Sequence, residues 1–98
     1  MIRLDGRKVL VTGGSRGIGR ATALLFAQAG ADVAISYVSN KKAAEAVIED
    51  VEKMGRRALA YRAEMSSRQD IDRMVGDILA QWGELDTLVN NAGIWTYL

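Results

Sequence analysis

The chain has 98 residues, with 13 lysines and arginines against 12 aspartates and glutamates, so its formal net charge at pH 7 is only +1. This balance argues against a nucleic-acid or membrane-surface role, and a hydrophobic content of 49% indicates a globular domain rather than a disordered one. Cysteine and histidine are both absent, which excludes disulfides, thiolate metal sites and catalytic triads that use histidine.

The first predicted element is a strand from Val9 to Thr12, an unbroken apolar run typical of a strand that is buried on both faces of a parallel sheet. A glycine-rich turn follows it, and then a helix from about Ile18 to Ala29 that ends at Gly30, a natural left-handed C-cap. Glycines let the backbone approach a ligand closely, and a helix start offers unpaired N–H groups and the positive end of its dipole. In this context the glycines favour a nucleotide-binding turn over an ordinary tight turn.

Strands and helices continue to alternate along the rest of the chain. The pattern predicts strands at Asp32–Tyr37, Arg57–Arg62 and Thr87–Asn90, and a second helix at about Lys41–Met54. This alternation implies right-handed β-α-β crossovers and an α/β fold with a doubly wound parallel sheet. In the Rossmann order, the four strands lie in the sequence 3-2-1-4.

The third helix has the clearest periodicity. Apolar residues recur at helical spacing from Ile71 to Trp82, which predicts one buried face. Ser67 and Asp70 are predicted to cap the start of this helix as a relative of the capping box. Gly83 is predicted to end it.

Two motifs resemble those of a known family. The first is Thr12-Gly13-x-x-x-Gly17-x-Gly19, and the second is Asn90-Asn91-Ala92-Gly93 at the end of the fourth predicted strand. In this order, with strand–helix units between them, they resemble the motifs of the short-chain dehydrogenase/reductase family. The amino-acid sequence of the chain is most similar to those of the 3-oxoacyl-carrier-protein reductase and glucose dehydrogenase branches of this family. The resemblance covers the whole chain and implies a Rossmann-type fold that binds a dinucleotide cofactor.

The turn after the first strand supplies the first group of predicted cofactor ligands. Gly13 and Gly17 are expected to form the phosphate turn, and Gly19 to let the first helix pack closely on the sheet. Ser15 is expected to donate its hydroxyl to a phosphate and also to cap the helix. The predicted set in this segment is Gly13, Ser15, Arg16, Gly17, Ile18 and Gly19.

The end of the second strand bears on the choice between NAD and NADP. NAD sites place an acidic residue about 20 residues beyond the glycines, where it binds the ribose 2′-hydroxyl. The window from Ser36 to Asn40 contains no acid, which permits a 2′-phosphate. Arg16, with Ser39, Asn40 and Lys41, could bind that phosphate, and the resemblance implies that a basic residue at Arg16 marks NADP preference. The prediction is NADP rather than NAD; the alternative for Arg16 is a solvated turn residue.

The resemblance also assigns residues beyond the third and fourth strands. Relatives usually have Asp-Val after the third strand, with the acid reaching the adenine amino group, where this chain has Glu64 and Met65. Glutamate is longer by one methylene, so a similar contact is predicted here. Beyond the fourth strand, the residues expected to approach the ribose beside the nicotinamide are Asn91, Ala92 and Gly93.

No catalytic residue is predicted. Family members are usually more than twice as long, with a catalytic Ser and a Tyr-x-x-x-Lys motif beyond the Asn-Asn-Ala-Gly strand. Tyr37 and Lys41 have the same spacing, but a catalytic pair must share one face of a helix, and Tyr37 is predicted at the end of a strand.

The chain is therefore predicted to be the NADP(H)-binding half of a short-chain oxidoreductase. The full-length form would transfer a hydride between NADP(H) and a carbonyl or hydroxyl substrate. One alternative is a stand-alone nucleotide-binding module without catalysis. Another is a structural or engineered half-domain that self-associates.

A chain of this length forms one small domain, here a partial dinucleotide-binding domain over residues 1–98. It lacks a signal-peptide core and any apolar run of membrane length, so a cytoplasmic protein without a membrane partner is expected. In the family arrangement the fourth strand also pairs with a fifth, which these residues do not include. The segment Leu85 to Asn90 carries no lysine or proline to discourage pairing. A homo-oligomer or a complementing chain is therefore expected.

Overall fold

The computed structural model describes residues 3–91, which form a four-stranded parallel sheet and three helices. In chain order the elements are β1 (Lys8–Thr12), α1 (Gly17–Gln28), β2 (Asp32–Tyr37), α2 (Lys41–Lys53), β3 (Ala58–Arg62), α3 (Arg68–Trp82) and β4 (Thr87–Asn90). The strands lie in the order β3-β2-β1-β4, and every pairing is parallel. The predicted fold class and strand order are confirmed.

The central strand β1 contributes to both hydrophobic layers because successive side chains of a strand point to opposite faces. Val9 and Val11 pack with residues of α1 and α2, whereas Leu10 packs with Met74 and Ile78 of α3. All three β1 side chains are at most 1% exposed. Helices therefore cover both faces of the sheet, and the ends of the strands are left uncovered by them.

Helix α1 ends in the glycine cap that the sequence predicts. Gly30 has a φ of +108°, and its N–H donates to the Ala27 carbonyl. The next N–H, that of Ala31, donates to the Phe26 carbonyl at 3.1 Å, which completes a Schellman motif. The turn sends the chain directly into β2.

The cap of α3 differs from the predicted box. The Ser67 hydroxyl accepts the Asp70 N–H at 3.2 Å, as predicted. The Asp70 carboxylate instead accepts the N–H of Glu64, because the Ser67 N–H is already donated to the Glu64 carbonyl. The reciprocal half of the capping box is therefore not formed, and Asp70 ties the end of β3 to α3.

An ion-pair network closes the sheet at the amino ends of its strands. Asp32 lies 3.2 Å from the Lys8 ammonium and 3.0 Å from the Arg57 guanidinium, and it also accepts the Arg57 N–H. Burial raises the pKa of the Asp32 carboxyl, but hydrogen bonds from Arg57 and Lys8 outweigh this effect and bring the pKa below its ordinary value. The network joins β1, β2 and the start of β3 at the end of the sheet opposite the strand carboxyl ends.

Replacing Asp32 with Asn is expected to lower the free energy of unfolding at pH 7 by about 1.5–3 kcal/mol, because a nearly buried lysine loses its charged partner. The native carboxyl contributes stability above its unfolded pKa, and this contribution is lost as the pH falls below about 4. Urea unfolding at pH 7 and at about pH 3 measures both effects. The difference in stability between the two proteins should be smaller at the lower pH.

The exposed Asp72, which pairs with Arg68 on α3, supplies the control. Asp72→Asn is expected to change stability by no more than about 0.5 kcal/mol. An Asp32→Asn protein that is as stable as the native chain at pH 7 would contradict the assigned role of the network.

Candidate functional site

A cleft of about 130 Å³ lies at the carboxyl ends of β1, β2 and β3. Ligands of open parallel sheets bind at this edge, where the first turn of the fold meets the neighbouring strands. The residues that line the cleft come from the glycine turn, the end of β2 and the segment after β3. They are Gly13, Ser15, Arg16, Ser36, Tyr37, Val38, Ser39, Asn40, Ala63 and Met65.

The glycine turn presents a row of free backbone donors. Gly13 and Gly17 have φ angles of +66° and +60°, which favour glycine at both ends of the turn. The first bond of α1 runs from the Arg20 N–H to the Arg16 carbonyl. In the described chain, the five N–H groups of residues 15–19 have no acceptor, and no side chain caps the helix. Such an arrangement suits an anion.

Ser15 does not cap α1, so that prediction was wrong. The helix begins at Gly17, and the extended residue Arg16 occupies the N-cap position. Ser15 lies one residue too early for its hydroxyl to cap the first turn. Its side chain is only 8% exposed, lines the cleft and makes no hydrogen bond to another described residue. Its expected role as a phosphate donor stays a prediction.

Two further glycines are required by close contacts rather than by φ. A Cβ at Gly19 would collide with the Gly13 carbonyl oxygen and would lie 2.7 Å from Asn91 Nδ2. The close approach of α1 at Gly19 is thus to the turn that follows β1 and to Asn91, which follows β4. Gly14, which was not among the predicted site residues, lies against the sheet instead. A Cβ there would come within 2.6 Å of the Ile35 side chain.

The residues predicted to bind a 2′-phosphate are only partly brought together. Arg16, Ser39 and Asn40 line the cleft, whereas Lys41 is the exposed first residue of α2 and is not part of the wall. Asn40 also caps α2, with its side-chain oxygen accepting the Ala43 N–H at 3.0 Å. Among residues 3–91, Arg16 forms no ion pair. No carboxylate side chain is among those that line the cleft.

The segment after β3 contributes Met65 to the cleft but not Glu64. Glu64 is exposed, and its N–H is bound by Asp70. Tyr37, Val38 and Ala63 line the cleft although they were not among the predicted ligands. The signal for them is positional, because residues at and just beyond the carboxyl ends of parallel strands face this crevice.

A hydrogen-bonded corner holds the end of β4 against β1. The Thr12 hydroxyl lies 3.1 Å from the Asn90 side-chain oxygen and accepts the Asn91 N–H at 2.9 Å. Thr12 is 3% exposed, so these bonds are shielded from water. They place Asn91 beside the start of α1. Ala92 and Gly93, the other predicted ligands of this motif, lie outside the described residues.

The tyrosines of the described segment do not form the family's catalytic pair with a lysine. Tyr37 ends β2 and Lys41 begins α2, so they do not share a helix face. Tyr61 lies in β3 and donates its hydroxyl hydrogen bond to Asp77 of α3. Burial, reinforced by this bond, raises the pKa of Tyr61 well above its ordinary value, so Tyr61 stays protonated.

Within residues 3–91 no three metal-ligating side chains of the His, Cys, Asp or Glu type are grouped as a metal site. No helix in that segment has the length and apolarity needed to span a membrane.

The 3-2-1-4 sheet and the donor-rich turn after β1 together define the Rossmann class of dinucleotide-binding folds. The chain belongs to the short-chain dehydrogenase family, because the family model described as short chain dehydrogenase matches residues 7–97. Proteins of this family are oxidoreductases that bind nicotinamide dinucleotides.

Individual relatives agree with this assignment. The chain is 43% identical over 88 residues to a 3-oxoacyl-[acyl-carrier-protein] reductase of Staphylococcus aureus, covering 90% of this chain and 36% of the relative. It is 42% identical over 91 residues to an L-rhamnose 1-dehydrogenase (NAD(P)(+)) of a Sphingomonas species, covering 93% and 36%. A short chain dehydrogenase from Burkholderia cenocepacia, solved in complex with NADP, superimposes with a TM-score of 0.90 at 47% identity, covering 96% of this chain and 38% of that one. The chain thus spans little more than a third of the length of these relatives.

Proposed function

We propose that the chain binds NADP(H) in the cleft and forms a partial dinucleotide-binding domain of a short-chain oxidoreductase. The observation that carries this proposal is the position of Arg16, which lines a cleft without carboxylate side chains and forms no ion pair with another described residue. A carboxylate at the end of β2 would repel a 2′-phosphate, whereas a guanidinium binds one strongly.

The turn fits the diphosphate of such a cofactor. Five consecutive N–H groups lack an acceptor among the described residues, and the Ser15 hydroxyl has no hydrogen-bond partner there either. Free N–H groups at the start of a helix lie at the positive end of its dipole, so this collection of donors favours an anionic ligand. Gly19 keeps the start of α1 close to the turn, and Ser15 and Arg16 of this segment line the cleft.

The adenosine end is proposed to lie between the ends of β2 and β3. Tyr37, Val38, Ala63 and Met65 provide apolar surface there, and Ser39 and Asn40 provide polar groups at the rim. The Asn40 side-chain oxygen is engaged by the α2 cap, so its amide nitrogen is the group proposed for phosphate. Glu64 does not line the cleft. Lys41 is proposed to act on the 2′-phosphate only as a positive charge outside the cleft.

The relatives support a nicotinamide cofactor and a redox reaction. Proteins with this chemistry transfer a hydride between NADP(H) and a carbonyl or hydroxyl group, and we propose this reaction for a full-length protein of this kind. The described residues are proposed to supply cofactor binding only. Asn91 is proposed to lie beside the nicotinamide ribose, together with Ala92 and Gly93.

We propose further that the β4 edge mediates self-association. In the described sheet β4 pairs only with β1, and three of its four residues are exposed. An exposed strand edge offers unpaired N–H and C=O groups to another strand. This observation also favours a second candidate function, a cofactor-binding module that is completed by association.

The cofactor preference is tested by replacing Arg16 with Ala. The native chain is expected to bind NADPH at least about tenfold more tightly than NADH, since a charge-assisted hydrogen bond contributes about 1.5–3 kcal/mol. Arg16→Ala should remove most of that preference by weakening NADPH binding while leaving NADH binding nearly unchanged. Isothermal titration with each cofactor gives the two dissociation constants.

Arg68→Ala, at an 89% exposed side chain on α3, is the matched control and should preserve the preference. If Arg16→Ala weakened NADH and NADPH binding equally, Arg16 would contact a part common to both cofactors. The proposed 2′-phosphate contact would then be refuted.

A further inference from the structure

Ser36 links the glycine turn to the neighbouring strand through two hydrogen bonds. It lies near the end of β2 and is 1% exposed. The regular register between β1 and β2 extends to the pair Val11–Ile35. Beyond that pair the Ser36 hydroxyl accepts the Gly13 N–H at 3.1 Å, and the Ser36 carbonyl accepts the Gly14 N–H at 3.0 Å. One residue of β2 therefore holds two consecutive N–H groups of the turn.

The Gly13 N–H is bound by the side chain of Ser36, whereas the Gly14 N–H is bound by the Ser36 backbone carbonyl. Gly13 adopts a φ of +66°, and its N–H has no other acceptor among the described residues. The turn is also packed tightly at Gly14, where an added Cβ would lie 2.6 Å from the Ile35 side chain. The Ser36 hydroxyl thus sets the orientation of the peptide that enters the turn.

The two bonds also divide the N–H groups of the turn into two sets. Those of Gly13 and Gly14 are held by Ser36, whereas the five that follow have no acceptor among the described residues. We propose that Ser36 is a positioning residue, which fixes the turn so that these five donors converge on the diphosphate of the cofactor. This inference rests on the proposed function and assigns Ser36 no contact with the 2′-phosphate.

The binding test uses Ser36→Ala and Ser36→Thr in the full chain. Loss of the hydroxyl is expected to weaken NADPH and NADH binding by the same factor, about tenfold, because the diphosphate is common to both. Ser36→Thr keeps an oxygen at the same position and should restore binding to within about threefold of the native chain. The ratio of the two affinities should stay constant in both variants.

A control separates positioning from lost stability. Val33 lies in the same strand, is 1% exposed and does not line the cleft. Val33→Ala is expected to lower the melting temperature without changing the affinity of the folded protein for either cofactor. A positioning role requires that Ser36→Ala lower the affinity at temperatures where both variants remain folded.

Amide exchange gives a readout that does not depend on the cofactor. The chain contains ten glycines, so labelling with 15N-glycine yields a small set of resonances. The Gly13 amide should exchange with solvent at least about tenfold faster in Ser36→Ala than in the native chain. Its exchange should remain slow in Ser36→Thr and in Val33→Ala.

The outcomes distinguish this inference from the proposed function. A native chain that binds neither cofactor refutes the proposed function, and with it the cofactor role of Ser36. A native chain that binds both, with Ser36→Ala binding equally well or exchanging Gly13 equally slowly, refutes the positioning role alone. A changed ratio of NADPH to NADH affinity in Ser36→Ala would instead indicate direct contact with the 2′-phosphate and overturn the inference.

Discussion

Gly19→Ala is expected to weaken NADPH binding by about 10- to 100-fold, the largest effect of any single methyl group in the site. The added Cβ would collide with the Gly13 carbonyl oxygen and lie 2.9 Å from the Gly13 carbonyl carbon. Backbone atoms cannot rotate away as a flexible side chain would, so the turn and α1 must separate. The proposed contacts of the turn with the diphosphate would then be weakened.

The same substitution should lower the free energy of unfolding by about 1–3 kcal/mol, as overpacking does elsewhere. Gly76→Ala is the matched control, because Gly76 lies within α3 and a Cβ there meets no atom within 4 Å. Alanine is the better helix former, so this variant should gain roughly 0.5–1 kcal/mol and keep the native affinity. Calorimetric titration and thermal unfolding measure both quantities. If Gly19→Ala bound NADPH with the native affinity, the close approach of α1 to the turn would not be needed for binding. The proposed diphosphate site at this turn would then be contradicted.

The second large effect concerns the oligomeric state of the protein in solution. We expect the native chain to run at twice the mass of one chain or more at micromolar concentration, through pairing of the β4 edge. Leu88 of β4 is 55% exposed, and its register partner is the buried Leu10. Lysine on an edge strand opposes pairing with another strand. Leu88→Lys should therefore shift the protein to the mass of a single chain, as measured by light scattering coupled to size exclusion.

Met54, at the end of α2, is 36% exposed and lies away from β4, so Met54→Lys serves as the control for added charge. It should leave the mass unchanged. A native chain that is monodisperse at the mass of one chain and melts cooperatively would contradict self-association through this edge.

The sequence predicted the elements well because their signals are local. β2 and β4 have the predicted bounds, since each follows, within a few residues, a glycine that ends the preceding helix. These two glycines, Gly30 and Gly83, both have positive φ. The alternation of strands and helices then predicted the Rossmann strand order, which depends on chain connectivity and not on side-chain detail.

The site was harder to predict because it depends on contacts between segments that are distant in sequence. Ser15 and Lys41 have suitable chemistry, but the position at which each helix begins decides where their side chains lie. Similarly, Asp70 binds the Glu64 N–H because the turn after β3 brings them together. Sequence also does not separate a glycine needed for φ, such as Gly13, from one needed for a close contact, such as Gly14.

The most direct test of the proposed cofactor site is titration of the native chain with NADPH and, separately, with NADH. The arrangement of Arg16 beside a cleft without carboxylate side chains predicts saturable binding of both, with NADPH tighter by at least about tenfold. Equal or tighter binding of NADH, or no saturable binding of either cofactor, would contradict the account.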